Sequence, residues 1–253
     1  RTKRPRWRKK APPDRPSVSQ FQKGLPPAAL FSLPNSLNSR QNGAMTQLEF
    51  DSPSQPGLAA PPLAELLRPK SLEDVVGQEA LLGPEGRLRR MLAAGDLASI
   101  IFWGPPGTGK TTIARLLAAE VGMAFEPVSA VFDGVADLRK VFARAAERQA
   151  GGERTLLFVD EVHRFNKAQQ DGLLPRVEDG TVTLVGATTE NPSFALNGAL
   201  LSRAQVMVLE RLSGEALDAL LQRVESHLGA ELPLEDEARV ALRAMADGDG
   251  RYL

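Results

Sequence analysis

The stretch Gly104-Pro105-Pro106-Gly107-Thr108-Gly109-Lys110-Thr111 decides the fold. Its glycines let successive backbone N–H groups converge on phosphate oxygens at the start of a helix, where the helix dipole also favours an anion. A lysine at Lys110 reaches terminal phosphates, and a hydroxyl at Thr111 suits Mg²⁺. Residues Gly104, Pro105, Pro106, Gly107, Thr108, Gly109, Lys110, Thr111 and Thr112 are therefore assigned to nucleotide binding. A pattern of this kind arises by chance in roughly one chain in a hundred of such length. Its flanks make it far more specific. Ser99–Trp103 is an apolar run of the kind a buried parallel strand needs, and a helix with Ile113, Leu116 and Leu117 on one face is expected from Thr111 to about Val121.

Working outward, the same alternation repeats. Phe125–Val128 reads as a strand, followed by a helix through Val135, Leu138, Val141, Phe142 and Ala145 that Gly151-Gly152 ends. Thr155–Val159 is the next buried strand, and Asn166 is placed to cap a helix reaching Val177. Val182–Ala187 and Gln205–Leu209 supply two more strands. This order predicts an α/β fold, a mostly parallel sheet with helices on both faces, over residues 64–211. After Arg211 the strands stop. Helices from Ser213 to about Leu228 and from about Glu235 to Ala246 then predict a small helical unit over 212–253.

Composition narrows the chemistry. The 253 residues are 42% hydrophobic and 25% charged, as in an ordinary globular chain, and hold no cysteine and two histidines. Disulfides and thiolate metal sites are excluded on that count, a zinc site is not expected, and a reducing interior fits. No stretch approaches the ~18 apolar residues a membrane span requires, so a soluble protein without a membrane partner is expected. The net charge of zero hides an asymmetry, because residues 1–44 carry ten Lys or Arg against the single acid Asp14. The rest of the chain is acidic. Residues 1–44, rich in Pro, Ser, Asn and Arg, read as a disordered tail, with 45–63 as a flexible lead-in. Three readings of the tail stand: a nucleic-acid-binding arm, an organelle transit peptide, or upstream sequence translated before a true start at Met45.

Candidate chemistry gathers at strand ends. Leu156–Val159 delivers Asp160 and Glu161 to the carboxyl edge of the sheet, where open α/β folds bind ligands. Beside a phosphate loop, Asp160 suits Mg²⁺ and Glu161 suits polarisation of an attacking water. Gly186-Ala187-Thr188-Thr189 places hydroxyls at the end of a further strand. Arg203, in Ser202-Arg203-Ala204, is by residue type a surface charge, yet its guanidinium also matches the charge spread of phosphoryl transfer.

Together, GPPGTGKT, LLFVDE, the strand-end threonines and the Ser-Arg pair resemble an ATPase of the AAA+ superfamily. The runs DEVHRFNKAQQD at 160–171 and EDGTVTLVGATTENPSFALNGALLSRA at 178–204 resemble, more particularly, the replication-associated recombination protein A family. The eukaryotic relative of that family is the Werner-helicase-interacting protein. The resemblance runs from about Pro61 to Leu253. It implies an AAA+ core followed by a helical lid, with ATP and Mg²⁺ as ligands. Lys110, Glu161, Thr189 and Arg203 would be catalytic, and Thr111 and Asp160 would hold the metal. Val76 and Gly77, in a segment that also includes Arg68-Pro69 and Gln78, would enclose adenine. Thr189 is taken as the sensor hydroxyl with Thr188 its neighbour, Arg203 as an arginine finger for an adjacent subunit, and Arg251 as a lid arginine at the terminal phosphate.

The resemblance also implies a DNA-dependent ATPase acting on single-stranded, gapped or forked DNA at stalled replication. Expected with it are a homo-oligomer, a single-strand-binding protein and the replication machinery as partners, and a bacterial cytoplasmic, nucleoid-associated setting. A Holliday-junction motor, a clamp-loader subunit, a protein-remodelling ATPase and a non-hydrolysing scaffold are the rival readings. Ala80 stands where members of the family often have histidine. The chain ends two residues after Arg251, so a truncated lid is expected. His163, Arg164 and Lys167 follow the carboxylates; by residue type they read as loop structure and solvated charge, while the resemblance to clamp loaders, which use the nearby helix near DNA, keeps a DNA role open.

Overall fold

The computed structural model describes residues 62–253, so the tail of 1–44 and nearly all of the 45–63 lead-in lie outside it. Three short helices lead in: α1 (Leu63–Leu66), α2 (Glu79–Leu82) and α3 (Arg87–Ala93). Strand β1 (Ile100–Trp103) passes directly into the phosphate loop and helix α4 (Lys110–Glu120). Then come β2 (Ala124–Ser129), α5 (Val135–Ala150), β3 (Thr155–Asp160), a 3-10 turn at Val162–Arg164, α6 (Lys167–Glu178) and β4 (Thr183–Thr188). Short helices α7 (Pro192–Ala195) and α8 (Gly198–Leu201) precede β5 (Gln205–Val208), and α9 (Gly214–Leu228) and α10 (Asp236–Ala246) follow.

All strand pairs are parallel, in the order β2-β3-β4-β1-β5. The continuous apolar runs are explained by two-sided burial, because strand residues alternate between faces. Ile100, Phe102, Leu156, Phe158, Val185 and Ala187 point to one core with Ile113 and Leu117 of α4 and Leu88 of α3. Ile101, Leu157, Val159 and Leu184 point to the other, with Leu138 and Val141 of α5, Leu173 of α6 and Leu200 of α8. Truncating a fully buried member such as Leu117 to alanine costs ~2–5 kcal/mol by lost burial and the cavity left behind.

Helix ends follow their local chemistry. Asn166 caps α6 as its sequence suggested: its Oδ1 accepts from Gln169 N at 2.9 Å while Gln169 Oε1 accepts from Asn166 N at 3.0 Å. Ser213 caps α9 by accepting from Ala216 N at 3.2 Å.

A third, smaller cluster joins Leu212, Ala216 and Leu217 to Ala246, with Val76 and Leu253 packed against it. The lead-in segment is thereby fastened to the two carboxyl-terminal helices. Gln78, almost wholly buried, strengthens the seam: its Nε2 donates to Glu210 O at 2.9 Å and its Oε1 accepts from Glu210 N at 3.3 Å.

Candidate active site

The phosphate loop is a turn that glycine chemistry permits. Gly107 and Gly109 sit at φ of +68° and +94°, where a side chain brings strain. Thr108 Oγ1 donates to Pro105 O at 3.0 Å and closes the turn from within. The ammonium of Lys110 donates to Gly104 O at 2.8 Å and to Pro105 O at 2.6 Å. Lys110 is buried, and burial pushes its pKa below the ordinary lysine value. Glu161 and Asp160 oppose that shift, Arg251 adds to it, and Asp249 opposes it.

Lys110 and Thr111 line a cleft of about 440 Å³ together with Pro106, Gly107, Asp160 and Glu161. The remaining wall comes from beyond α10, from Asp249, Arg251 and Tyr252. Four residues singled out by motif, Lys110, Thr111, Asp160 and Glu161, therefore meet at one place with Arg251, which the resemblance alone had implied. The hard oxygens of Thr111 and Asp160 are the donor set Mg²⁺ takes when phosphates and water complete its shell.

The strand order explains the meeting. β3 and β1 flank β4, so Asp160 at the end of β3 and the loop after β1 open onto the same edge. Glu161 follows at φ +51° and ψ +47°, a left-handed conformation rare outside glycine. Such a backbone is held only where its surroundings enforce it, commonly at functional sites. Thr189 Oγ1 donates to Glu161 Oε2 at 3.4 Å, which places that hydroxyl beside the carboxylate. Thr188 is fully buried and turned elsewhere, bonded to the backbone of Glu190 and to His163.

Two residues of the cleft were missed by residue reasoning. Asp249 Oδ1 accepts from Arg251 N at 2.8 Å and so fixes the backbone that bears Arg251. It also lies against the phosphate loop, where a Cβ on Gly107 would come within 1.7 Å of Asp249 Oδ1. Gly250 N donates to Gly107 O at 3.2 Å, a direct bond from this segment to the loop. The Gly-Asp-Gly-Arg spelling was the available signal, but nothing in it says which backbone the aspartate packs on. Tyr252 carried no signal.

Other assigned residues lie outside the cleft wall. Val76 packs on the α9–α10 cluster, and Gly77 faces Leu212 so closely that a Cβ there would lie 2.8 Å from Leu212 Cδ2. Thr112 Oγ1 accepts from Arg68 Nη1 at 3.3 Å, tying the lead-in to α4. Arg203 stands apart from the cleft altogether. Its Nε lies 2.6 Å from Glu178 Oε1, and its Nη1 donates to Ala199 O at 2.8 Å and to Ser202 Oγ at 2.9 Å. Because Gln205 N bonds Ser99 O at the entry to β1, Arg203 lies at the amino edge of the sheet. The cleft is at the carboxyl edge, with the length of β1, ~13 Å at ~3.3 Å per residue, in between.

One expectation is corrected. Arg164 and Lys167 are exposed, as charged loop residues should be, but the His163 side chain is only 4% exposed and is held by three polar groups. The burial follows from the 3-10 turn, which tucks Val162 into the core and turns the next residue against β4.

This arrangement of loop, strand-end carboxylates and helical cover defines a nucleotide-binding protein of the AAA class. The model of the ATPase family associated with various cellular activities matches residues 100–212. The chain is 48% identical over 195 residues to replication-associated recombination protein A of Escherichia coli K12, and 50% identical over 195 residues to that of Coxiella burnetii. It is also 43% identical over 194 residues to the ATPase WRNIP1 of Dictyostelium discoideum. These matches take in 75% of this chain but 44%, 44% and 22% of those proteins, so the chain spans less than half the length of the curated relatives it matches. Among solved structures, the Thermotoga maritima RuvB Holliday junction branch migration motor is similar with a TM-score of 0.59 and 31% identity, over 74% of this chain and 62% of that one. The chain thus carries an AAA ATPase domain and, over three quarters of its length, is similar to replication-associated recombination protein A.

Proposed function

We propose that this protein is an ATP hydrolase of the replication-associated type, remodelling DNA at stalled or damaged forks as part of a homo-oligomer. One observation carries the hydrolytic reading: Lys110, Thr111, Asp160 and Glu161 line a single cleft, while Arg203 waits at the opposite edge of the sheet.

In this mechanism the loop amides and the Lys110 ammonium hold the terminal phosphates. Thr111 and Asp160 would hold Mg²⁺, which neutralises charge on the phosphate oxygens. The Glu161 carboxylate accepts a proton from the attacking water, and the Thr189 hydroxyl steadies that carboxylate. Arg251 approaches the terminal phosphate from the lid over the chain's own loop. Arg203 is too far from that loop to serve it, so its guanidinium completes the site of a neighbouring subunit and hydrolysis reports assembly.

DNA as substrate is supported by the replication and recombination in the name of the bacterial relatives; a single-strand-binding protein and the replication machinery as partners, in a bacterial cytoplasm, are proposed with it. Likeness to a Holliday-junction motor supports a second reading. Identity of 48–50% to the recombination proteins against 31% to the motor favours the first. The α-helices of the described residues include none long and apolar enough to cross a membrane. The test is the ATPase rate of the full-length protein with and without single-stranded or gapped DNA. Stimulation by DNA is expected. Turnover that ignores DNA, or responds only to an unfolded polypeptide, defeats the DNA reading.

A further inference from the structure

We infer that His163 is a positioning residue that clamps the Glu161 carboxylate through its Nδ1–H, leaving Glu161 Oε1 as the oxygen that takes the proton from water. The inference rests on the hydrolytic reading above and adds a residue to it.

The groups around Nδ1 favour a proton there, because a carboxylate oxygen, Glu161 Oε2, can only accept. Thr188 Oγ1 donates its single proton to Glu190 O at 3.2 Å and accepts from Glu190 N at 3.0 Å. His163 Nδ1 lies 2.9 Å from Thr188 Oγ1, which can accept from it when the hydroxyl proton goes to Glu190 O. That same Nδ1 lies 3.2 Å from Glu161 Oε2. Nδ1 therefore stands between a buried hydroxyl on β4 and the carboxylate that follows β3.

The consequences for Glu161 are specific. Both of its polar contacts, from His163 Nδ1 and from the Thr189 hydroxyl, fall on Oε2. A carboxylate anchored twice at one oxygen presents the other to water, with its rotation restrained. The restraint matters because the Glu161 backbone is left-handed at φ +51° and so does not by itself hold the side chain in an ordinary place. On the far side of the ring, His163 Nε2 lies 3.4 Å from Glu190 Oε1. Glu190 opens the segment that runs through α7 and α8 to Arg203, so one imidazole joins the chain's own catalytic carboxylate to the element bearing the arginine meant for a neighbour. A histidine serving only to fill space would not need three polar groups converging on its two nitrogens.

The test uses three substitutions in the full-length protein. His163→Ala is expected to lower kcat about 10- to 100-fold, the usual effect of removing a residue that orients a reacting group. Nucleotide affinity, read with a fluorescent ATP analogue, should stay within about twofold, since phosphate contacts are untouched. His163→Asn places an N–H where Nδ1 stood and should recover most of kcat, whereas His163→Gln reaches the Nε2 position and should not. Wild-type kcat in His163→Ala overturns the inference, as does equal rescue by Gln and Asn, or failure of Asn to rescue while melting as the wild type does. A second readout is independent of turnover. Nitrogen-15 NMR, with the His163 ring assigned by the loss of its signals in His163→Ala, should show a protonated Nδ1 on His163. An unprotonated Nδ1 overturns the clamp. A wild-type protein without ATPase activity defeats the hydrolytic reading instead, and the Nδ1 signal then still decides the bridge.

Discussion

Arg251 and Arg203 are both arginines on the rim of one ATPase unit, but they face opposite problems. Arg251 hangs from the segment after α10, fixed by Asp249 and bent over its own phosphate loop. Arg203 sits at the other edge of the sheet, parked against Glu178, Ala199 and Ser202 and directed at nothing in its own cleft. In the mechanism proposed, the first senses the nucleotide its own chain holds and the second serves another copy. On that reading the difference teaches that the parallel sheet works as a spacer, separating the part of the site a chain keeps from the part it lends.

The largest expected effect tests the lent part. Arg203→Ala should lower kcat by about 10³-fold or more, the scale of a lost arginine finger. Mixing Arg203→Ala with Lys110→Ala protein should restore some turnover, because the second supplies an arginine to the intact loop of the first. If ATPase assays of the mixture never exceed the sum of the separate proteins, the separation into kept and lent parts is broken.

Next comes the shared chemical step. Glu161→Gln should lose about 10²- to 10⁴-fold in kcat, as expected of a removed general base, with nucleotide binding retained. Equilibrium binding measured beside single-turnover hydrolysis separates the two. Smaller again is Arg251→Ala, which should weaken nucleotide affinity about tenfold, the worth of one charge-assisted hydrogen bond of ~1.5 kcal/mol. Mixing should not rescue it, since the defect lies in the same chain as the loop. Rescue by mixing would move Arg251 to the lent side.

The smallest effect guards the comparison against mere loss of stability. Glu126 on β2 accepts from Arg144 Nε at 3.0 Å and from Arg148 Nη1 at 2.6 Å, far from either arginine of the site. The Arg144 hydrogen bond, with Arg148 beside it and against the opposing effect of burial, holds its pKa below the ordinary 4.5. A depressed carboxylate pKa stabilises the fold above the unfolded value and loses that contribution as pH falls through the folded one. Glu126→Gln should therefore cost about 1–2 kcal/mol at pH 7, and denaturation curves should converge with the wild type as pH falls below 4.5 and through the lowered pKa. ATP turnover per folded molecule should not change.

Much of the site was legible because its chemistry is local. A phosphate loop is a run of consecutive backbone amides, so Gly104–Thr111 can be spelled in one line. The carboxylates follow one apolar strand, and the strand and helix bounds fell within a residue or two of the apolar periodicity. His163 was not legible. A histidine two residues past Glu161 has the same letters whether it faces water or the core, and only the pairing of β3 with β4 brings it against Thr188. Asp249 and Tyr252 were invisible for the same reason, since their place depends on how the segment after α10 folds back on Gly107.

The sequence alone determined that a phosphate-binding turn opens a helix after a buried strand, that the core is a parallel α/β sheet, and that two carboxylates end a neighbouring strand. These are properties of contiguous residues, set by steric limits on the backbone and by the alternation of apolar side chains. The strand order β2-β3-β4-β1-β5 was decided only in three dimensions, and with it which oxygens share a cleft, which imidazole nitrogen faces Glu161, and that Arg203 lies across the sheet from the loop. The physical reason is that strand order, tautomer and edge are relations between segments far apart in the chain, fixed by packing and hydrogen-bond saturation rather than by the identity of any single residue.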